Sequence, residues 1–183
     1  LPLLKDNDIK YTELQPKQPF LYTMFEKPVN KRNGEKSFGY SWCGGRCRWG
    51  TTEKLRAIEK HCKGNYEYVG IAADETNRLK KERKGNKLFP LANWNMTEKD
   101  CLEYCYDKGF DWLEDGIELY TILDRVSCWC CCNKNLKELR NYYKYLPGYW
   151  SKLKDLQSKT DRPMKYNKYT VFDLEKKFSN EDN

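Results

Sequence analysis

"YEYVGIAA", residues 66–73, decides how this chain is expected to fold. The run is rich in Tyr, Val and Ile, turns wholly apolar after Glu67, and ends in the polar stretch Asp74-Glu75-Thr76. An apolar run of that length, bounded by a polar turn, suits a strand covered on both faces. Strands of that kind belong to parallel sheets flanked by helices. A helix is expected just before it. Thr51 or Thr52 can cap a run to about Cys62 that carries Leu55 and Ile58 on one face, with Gly64 as its stop. Helix beside apolar strand predicts an α/β fold.

Outward from this centre the pattern changes. Residues 1–40 are interrupted by Pro16, Pro19, Pro28 and the turn Asn33-Gly34, and read as loop and short pieces, with "IKYTEL" a short strand. "RLKKERKGNK" at 78–87 is a basic run, and "FPLANW" after it reads as extended. Thr97 with Asp100 three residues later is a capping-box signature, and Gly109 is the matching stop. Helices are expected at 134–146, with Leu136, Leu139, Tyr143 and Leu146 in register, and at 149–158, with Trp150, Leu153 and Leu156. Pro147-Gly148 separates them. From Lys159 the chain reads as a polar appendage, so the expected division is a domain over 1–158 and a tail over 159–183.

The 183 residues allow one domain, or one domain with an appendage, and carry 34 basic and 27 acidic side chains. The net charge of +7 suits an anionic ligand and permits nucleic acid without requiring it. No apolar run approaches the roughly 20 residues of a membrane-spanning helix, so no membrane partner is expected. The chain shows no secretory signal pattern and begins at Leu1, which suggests a processed or truncated product.

Nine cysteines, four of them within 128–132, do not resemble an evenly spread disulfide framework. A reducing, cytoplasmic compartment is expected. Cys43 and Cys47 bracket Gly44-Gly45, and Cys128 and Cys131 have C-x-x-C spacing. Each pair can turn around one ion, and together they make a four-thiolate site for an iron–sulfur cluster or structural zinc. Arg46, Arg48 and Arg125 would offset the thiolate charge, and Trp42, Trp49 and Trp129 would exclude water. The plain alternatives are buried free thiols or disulfides. His61, the only histidine, is set inside a helix, and Cys62, Cys101 and Cys105 read as core.

Four segments together resemble the phosphoadenosine phosphosulfate (PAPS) reductase family of the adenine-nucleotide α-hydrolase-like superfamily. They are "GYSWCGGRCRWGTTEK" (39–54), "YVGIAADETNR" (68–78), "FPLANWNMTEKDCLEYCYDKGFDW" (89–112) and "LYTILDRVSCWCCCNKNLKELR" (119–140). Order and spacing agree over about residues 10–157. The resemblance implies a Rossmann-like parallel sheet with flanking helices and a helical C-terminal part. It implies an adenine nucleotide (ATP or PAPS) at the strands' carboxyl ends, and sulfur-transfer or sulfur-reduction chemistry. Carried over by position, Arg48, Thr51 and Lys54 would contact phosphate or sulfate, and Asp74, Glu75 and Arg78 would form a loop closing on the ligand. The cysteine pattern is similar to that of clostridial and phage-type members, with a 4Fe–4S cluster preferred over zinc. No catalytic residue is assigned.

The family's Ser-Gly-Gly-Lys-Asp-Ser phosphate loop is absent. The chain is therefore expected to lack the fold's first strand, helix and strand, to depend on an upstream segment or a partner chain for that loop, and to bind nucleotide weakly alone. The family's C-terminal cysteine motif is absent too, since the chain ends "KKFSNEDN". The alternative function is a metal-stabilised subunit that binds nucleic acid or a partner and does no catalysis itself.

Overall fold

The computed structural model describes residues 2–31, 33–43, 45, 47–81 and 86–181, without the side chains of Pro2 and Leu3. It is mixed α/β. The chain divides into two units, Leu1–His61 and Cys62–Asn183. Among the described residues every sheet has two strands.

The first unit holds α1 (Pro2–Asp6), a π-helical turn (Tyr22–Glu26), strands β1 (Pro28–Asn30) and β2 (Lys36–Phe38), and helix α2 (Thr51–His61). β1 and β2 pair antiparallel, with Val29 opposite Ser37, around the Asn33-Gly34 turn that the sequence marks. Gly39 follows at φ +62°, where a Cβ would meet the Met24 carbonyl oxygen at 2.1 Å, so the close approach of the two backbones requires glycine there. Met24, Trp42 and Trp49 form the buried centre of this unit. Trp49 Nε1 donates to the Ser41 carbonyl at 2.9 Å, which satisfies the indole as it is buried. The tryptophans take the place expected for the α2 stripe. Leu55 and Ile58 remain 38% and 39% exposed, and only Thr52 of α2 is buried.

In the second unit β3 (Tyr66–Tyr68) pairs in parallel with β4 (Asn86–Leu88), with Glu67 opposite Lys87 and their side chains joined at 2.8 Å. A strand was expected through residue 73. The ladder ends sooner, after Val69 N–H donates to the Leu88 carbonyl. The partner strand runs into Pro90, which has no N–H to continue a ladder and instead opens α4 (Pro90–Asn93). "FPLANW", expected as extended, is therefore largely a helical turn. Ile71 and Ala72 are buried beyond the strand, and α3 (Thr76–Leu79) follows. The parallel arrangement is present, and its width among the described residues is two strands.

Helix α5 (Glu98–Asp107) matches its sequence signals closely. Thr97 Oγ1 accepts from Asp100 N–H at 3.1 Å, and Asp100 accepts from Thr97 N–H at 2.8 Å. At the other end Gly109, at φ +77°, lets its own N–H reach the Tyr106 carbonyl and Phe110 N–H reach that of Cys105. Thr97→Ala removes the cap acceptor and is expected to cost about 1 kcal/mol, read as a lower urea midpoint at unchanged slope.

After the short hairpin β5 (Leu113–Glu114) and β6 (Ile117–Glu118) and helix α6 (Leu119–Ile122), three helices complete the unit. They are α7 (Leu136–Tyr145), α8 (Pro147–Gln157) and α9 (Val171–Glu181). Leu139, Leu146, Trp150, Leu153 and Leu156 meet Val171, Leu174 and Phe178 in a fully buried core. The segment expected as a polar appendage thus supplies one side of the main core. Gln157 ties the connecting loop, donating to the Thr160 and Arg162 carbonyls and accepting from Val171 N–H. Among the described residues no helix is long and apolar enough to cross a membrane.

Candidate functional site

The first unit presents one cysteine turn. Cys43 is buried and Cys47 half-buried, in the turn leading into α2. Cys43 Sγ accepts from Arg48 N–H at 3.3 Å, and Cys47 Sγ accepts from Gly50 N–H at 3.1 Å. A Cβ at position 50 would lie 2.9 Å from that sulfur, so glycine makes room for the approach. A hydrogen bond from the Cys43 thiol, opposed by partial burial and reinforced by backbone N–H groups of residues 49–51, holds the Cys47 thiol down at about 6. A sulfur at a helix start, ringed by N–H donors, is stable as a thiolate, the form that ligates metals. Gly44 and Arg46 lie outside the described residues.

The second unit presents the other turn. Cys131 N–H donates to the Cys128 carbonyl at 3.0 Å, closing the C-x-x-C segment. Cys128 is exposed and Cys131 half-buried, whereas Cys130 and Cys132 are buried. The alternation leaves the expected pair accessible and turns the other two inward. Trp129 packs on Tyr149 with ring centroids 6.2 Å apart. Two buried lysines, unremarked in the sequence, hold this turn. Lys134 Nζ donates to Ser127 Oγ at 2.7 Å and sits 4.7 Å from the Tyr142 ring centroid. Lys165 Nζ donates to the carbonyls of Cys132 at 3.1 Å and Lys134 at 2.5 Å. Burial lowers the Lys134 ammonium's pKa, while Glu138 and the thiols of Cys131, Cys128 and Cys130 oppose that shift. Among the described residues, no group of three or more His, Cys, Asp or Glu side chains is gathered as a metal would need.

A cleft of about 600 Å³ opens in the second unit beyond the end of β3. Its walls include Gly70 and Ala72, the charged groups Glu75, Arg78, Glu98 and Arg125, the thiols Cys101 and Cys105, and the rings of Trp112 and Tyr120. Glu75 is its hinge. One oxygen accepts from Ala72 N–H at 3.2 Å, and the other pairs with Arg78 and, at 3.5 Å, with Arg125. Burial alone would raise the Glu75 carboxyl. Hydrogen bonds from Arg78 and Ala72 and the charges of both arginines prevail and lower it. Arg125 also reaches Glu98 at 3.5 Å. Opposite, Trp112 and Tyr120 meet edge to face, with centroids 5.2 Å apart and planes at 86°.

The expected residues sort clearly. Glu75 and Arg78 are joined in the cleft. Asp74 is engaged elsewhere, accepting from Glu98 N–H at 3.0 Å and so anchoring the start of α5. Arg48, Thr51 and Lys54 stand at the start of α2 in the first unit, with the Arg48 guanidinium 5.9 Å from the Tyr40 ring centroid. Arg125, expected beside the thiolates, instead completes the cleft's basic pair. Cys101 and Cys105, expected as core, are half-buried on the cleft wall, where their i, i+4 spacing puts both on one face of α5. Of the basic run, residues 82–85 lie outside the described residues. No family model, curated protein or solved structure matches the chain.

Proposed function

We propose that the chain is a nucleotide-binding protein of the PAPS reductase type, acting in adenine-nucleotide-dependent sulfur transfer or sulfur reduction. The observation that carries this reading is the cleft at the end of β3. Two guanidiniums converge there on one carboxylate that is itself held by the backbone. An anionic group can compete with Glu75 for these guanidiniums, because a planar fork of N–H donors matches phosphate or sulfate oxygens as it does a carboxylate. The facing aromatic wall and the apolar side of Leu91 suit a base or other flat ring. In this reading β3 and β4 belong to a wider Rossmann-like sheet, with the ligand at its carboxyl edge.

Cys43, Cys47, Cys128 and Cys131 are the proposed ligands of an iron–sulfur cluster, with zinc as the alternative metal. The support lies within each turn, since among the described residues no group of three or more such side chains is gathered. Each pair is turn-bridged, and Cys47 is stabilised as a thiolate before any metal arrives. When bound, the cluster would hold or deliver sulfur. The chain's own residues orient the anion and hold Cys47 in the ligating form.

Arg78→Ala is expected to weaken ATP or PAPS binding by about 2 kcal/mol, the worth of a charged hydrogen bond, with little change in melting temperature. Arg78→Lys should recover only part, since an ammonium cannot make the two-point contact. Lys80 and Lys81 lie in the same basic run and are exposed. Titration calorimetry on the alanine variants at 78, 80 and 81 decides the matter, and three equal small losses would remove Arg78 from the site.

A further inference from the structure

We propose that the cleft between residues 14–18 and helix α2, within the first unit, binds a small, multiply charged phosphate compound, an oligophosphate anion. The inference goes beyond the nucleotide reading and shares no residue with the cleft at the end of β3 or with Arg48, Thr51 and Lys54.

The cleft holds about 890 Å³, room for a ligand of several phosphoryl groups. Its walls carry four cations, Lys17, Lys27, Arg56 and Lys60, and one carboxylate, Glu53. Arg56 takes that carboxylate at 2.5 Å. Lys17, Lys27 and Lys60 make no ion pair among the described residues. Like charges brought to one cavity repel, and no second carboxylate in the wall offsets them. An anion of two or more charges entering the cleft turns that repulsion into attraction. The cations are not one charged run of sequence. They come from three stretches of chain, the segment 14–18, Lys27 after the π-helical turn, and the last two turns of α2.

The placement has local causes. Glu53, Ala57 and Lys60 stand at i, i+4 and i+7, with Arg56 beside them, along one face of α2. A helix ordinarily turns an apolar stripe to the chain it faces. Here Ala57 is the one apolar residue that α2 gives to the cleft. Lys27 is half-buried and its backbone is held on both sides. Its N–H donates to the Tyr22 carbonyl at 2.9 Å, and its carbonyl accepts from Gly39 N–H at 2.7 Å. The ligand class follows from what else lines the walls. No Phe, Tyr or Trp ring is among them, so nothing there would stack on a nucleic-acid base, unlike the cleft with Trp112 and Tyr120. Ammoniums meet phosphate as point charges and do not demand a planar partner. Gln15, Gln18 and His61 add further hydrogen-bonding groups.

The test titrates sodium tripolyphosphate into the full chain at low salt and follows binding by calorimetry. Lys27→Gln and Lys60→Gln are each expected to weaken binding roughly 10-fold, the weight of one charge-assisted contact. Lys36→Gln removes the same charge from β2, outside the cleft, and should bind as wild type. Tripolyphosphate should raise the wild-type melting temperature. Without ligand, Lys27→Gln should melt no lower than wild type, because it relieves like-charge crowding, whereas loss of a merely structural lysine would lower it. Equal small losses at 27, 36 and 60 would overturn the proposal, since they report diffuse attraction to a basic chain. Loss in Arg78→Ala with no loss at 27 and 60 would also overturn it, placing the phosphates in the cleft at the end of β3 and leaving the nucleotide reading standing. An oligothymidylate that binds more tightly than tripolyphosphate, and depends on the same lysines, would overturn the small-anion assignment in favour of nucleic acid. No binding of tripolyphosphate to the wild-type chain would overturn the proposal outright, while the nucleotide reading keeps its own test with ATP or PAPS.

Discussion

On the proposed four-cysteine reading, Cys47→Ser should bring the metal content of the anaerobically purified chain close to zero and abolish the broad visible absorption expected of iron bound to thiolate. The sulfur it removes is the best prepared of the proposed ligands. It accepts from Gly50 N–H, is hydrogen-bonded by the Cys43 thiol, and is held well below the ordinary thiol range, at about 6. A serine hydroxyl in its place stays protonated at neutral pH and offers no comparable ligand. Because metal binding is part of folding free energy at such sites, the variant should also melt earlier than the loaded wild type and close to the metal-free chain. The sign with pH follows from the same depression. Cys47 is a thiolate above about pH 6. In the metal-free chain its alkylation by iodoacetamide should therefore rise through that value and level off, whereas an unperturbed thiol does so at roughly pH 8.5. The thiolate's contribution to stability is full above the ordinary thiol pKa and is lost as pH falls through about 6. Metal content unchanged in Cys47→Ser, measured by elemental analysis, would remove Cys47 from the ligand set.

Phe178→Ala is expected to destabilise the chain by about 3–5 kcal/mol, the usual cost of emptying a buried aromatic site. Phe178 is fully buried, 5.9 Å from Trp150 and 6.1 Å from Tyr143 by ring centroid, with the Arg140 guanidinium 5.3 Å from its own ring. Leu174 and Val171, equally buried on the same helix face, would border the cavity. Urea unfolding followed by far-UV circular dichroism measures the loss. A change within about 0.5 kcal/mol, as at an ordinary surface position, would mean that α9 does not belong to the core.

That helix shows where sequence reasoning stopped short of the signal. Thr170 and Asp173 form the same reciprocal cap as Thr97 and Asp100, with Asp173 N–H reaching Thr170 Oγ1 at 3.1 Å. Val171, Leu174 and Phe178 stand at helical spacing behind it. The charged residues between them, Glu175, Lys176 and Lys177, make the segment read as polar when it is averaged. They occupy the outer face, where Glu175 pairs with Lys154 at 2.9 Å. The strand at 66–73 erred in the opposite direction. Its composition announced a strand, but a ladder needs a partner at every step, and Pro90 ends the partner after Leu88.

By itself the sequence determined the elements with local causes. These are the Asn33-Gly34 hairpin, the boxed start and glycine stop of α5, the α7–α8 pair broken at Pro147, and the two cysteine turns. It also placed Glu75 and Arg78 in one loop, because four residues cannot stray far from each other. Only the tertiary structure decided what meets across the chain. Arg125 lies fifty residues from Glu75 and pairs with it, and Trp112 and Tyr120 complete the same cleft. Lys165 caps the carbonyls of a turn more than thirty residues upstream. Lys134 is buried although nothing in "CCNKN" says so, because an isolated lysine reads as solvated surface until the packing around it is known. Caps, turns and stops depend on neighbours within about four residues, whereas burial and ion pairing depend on which segments the core brings together.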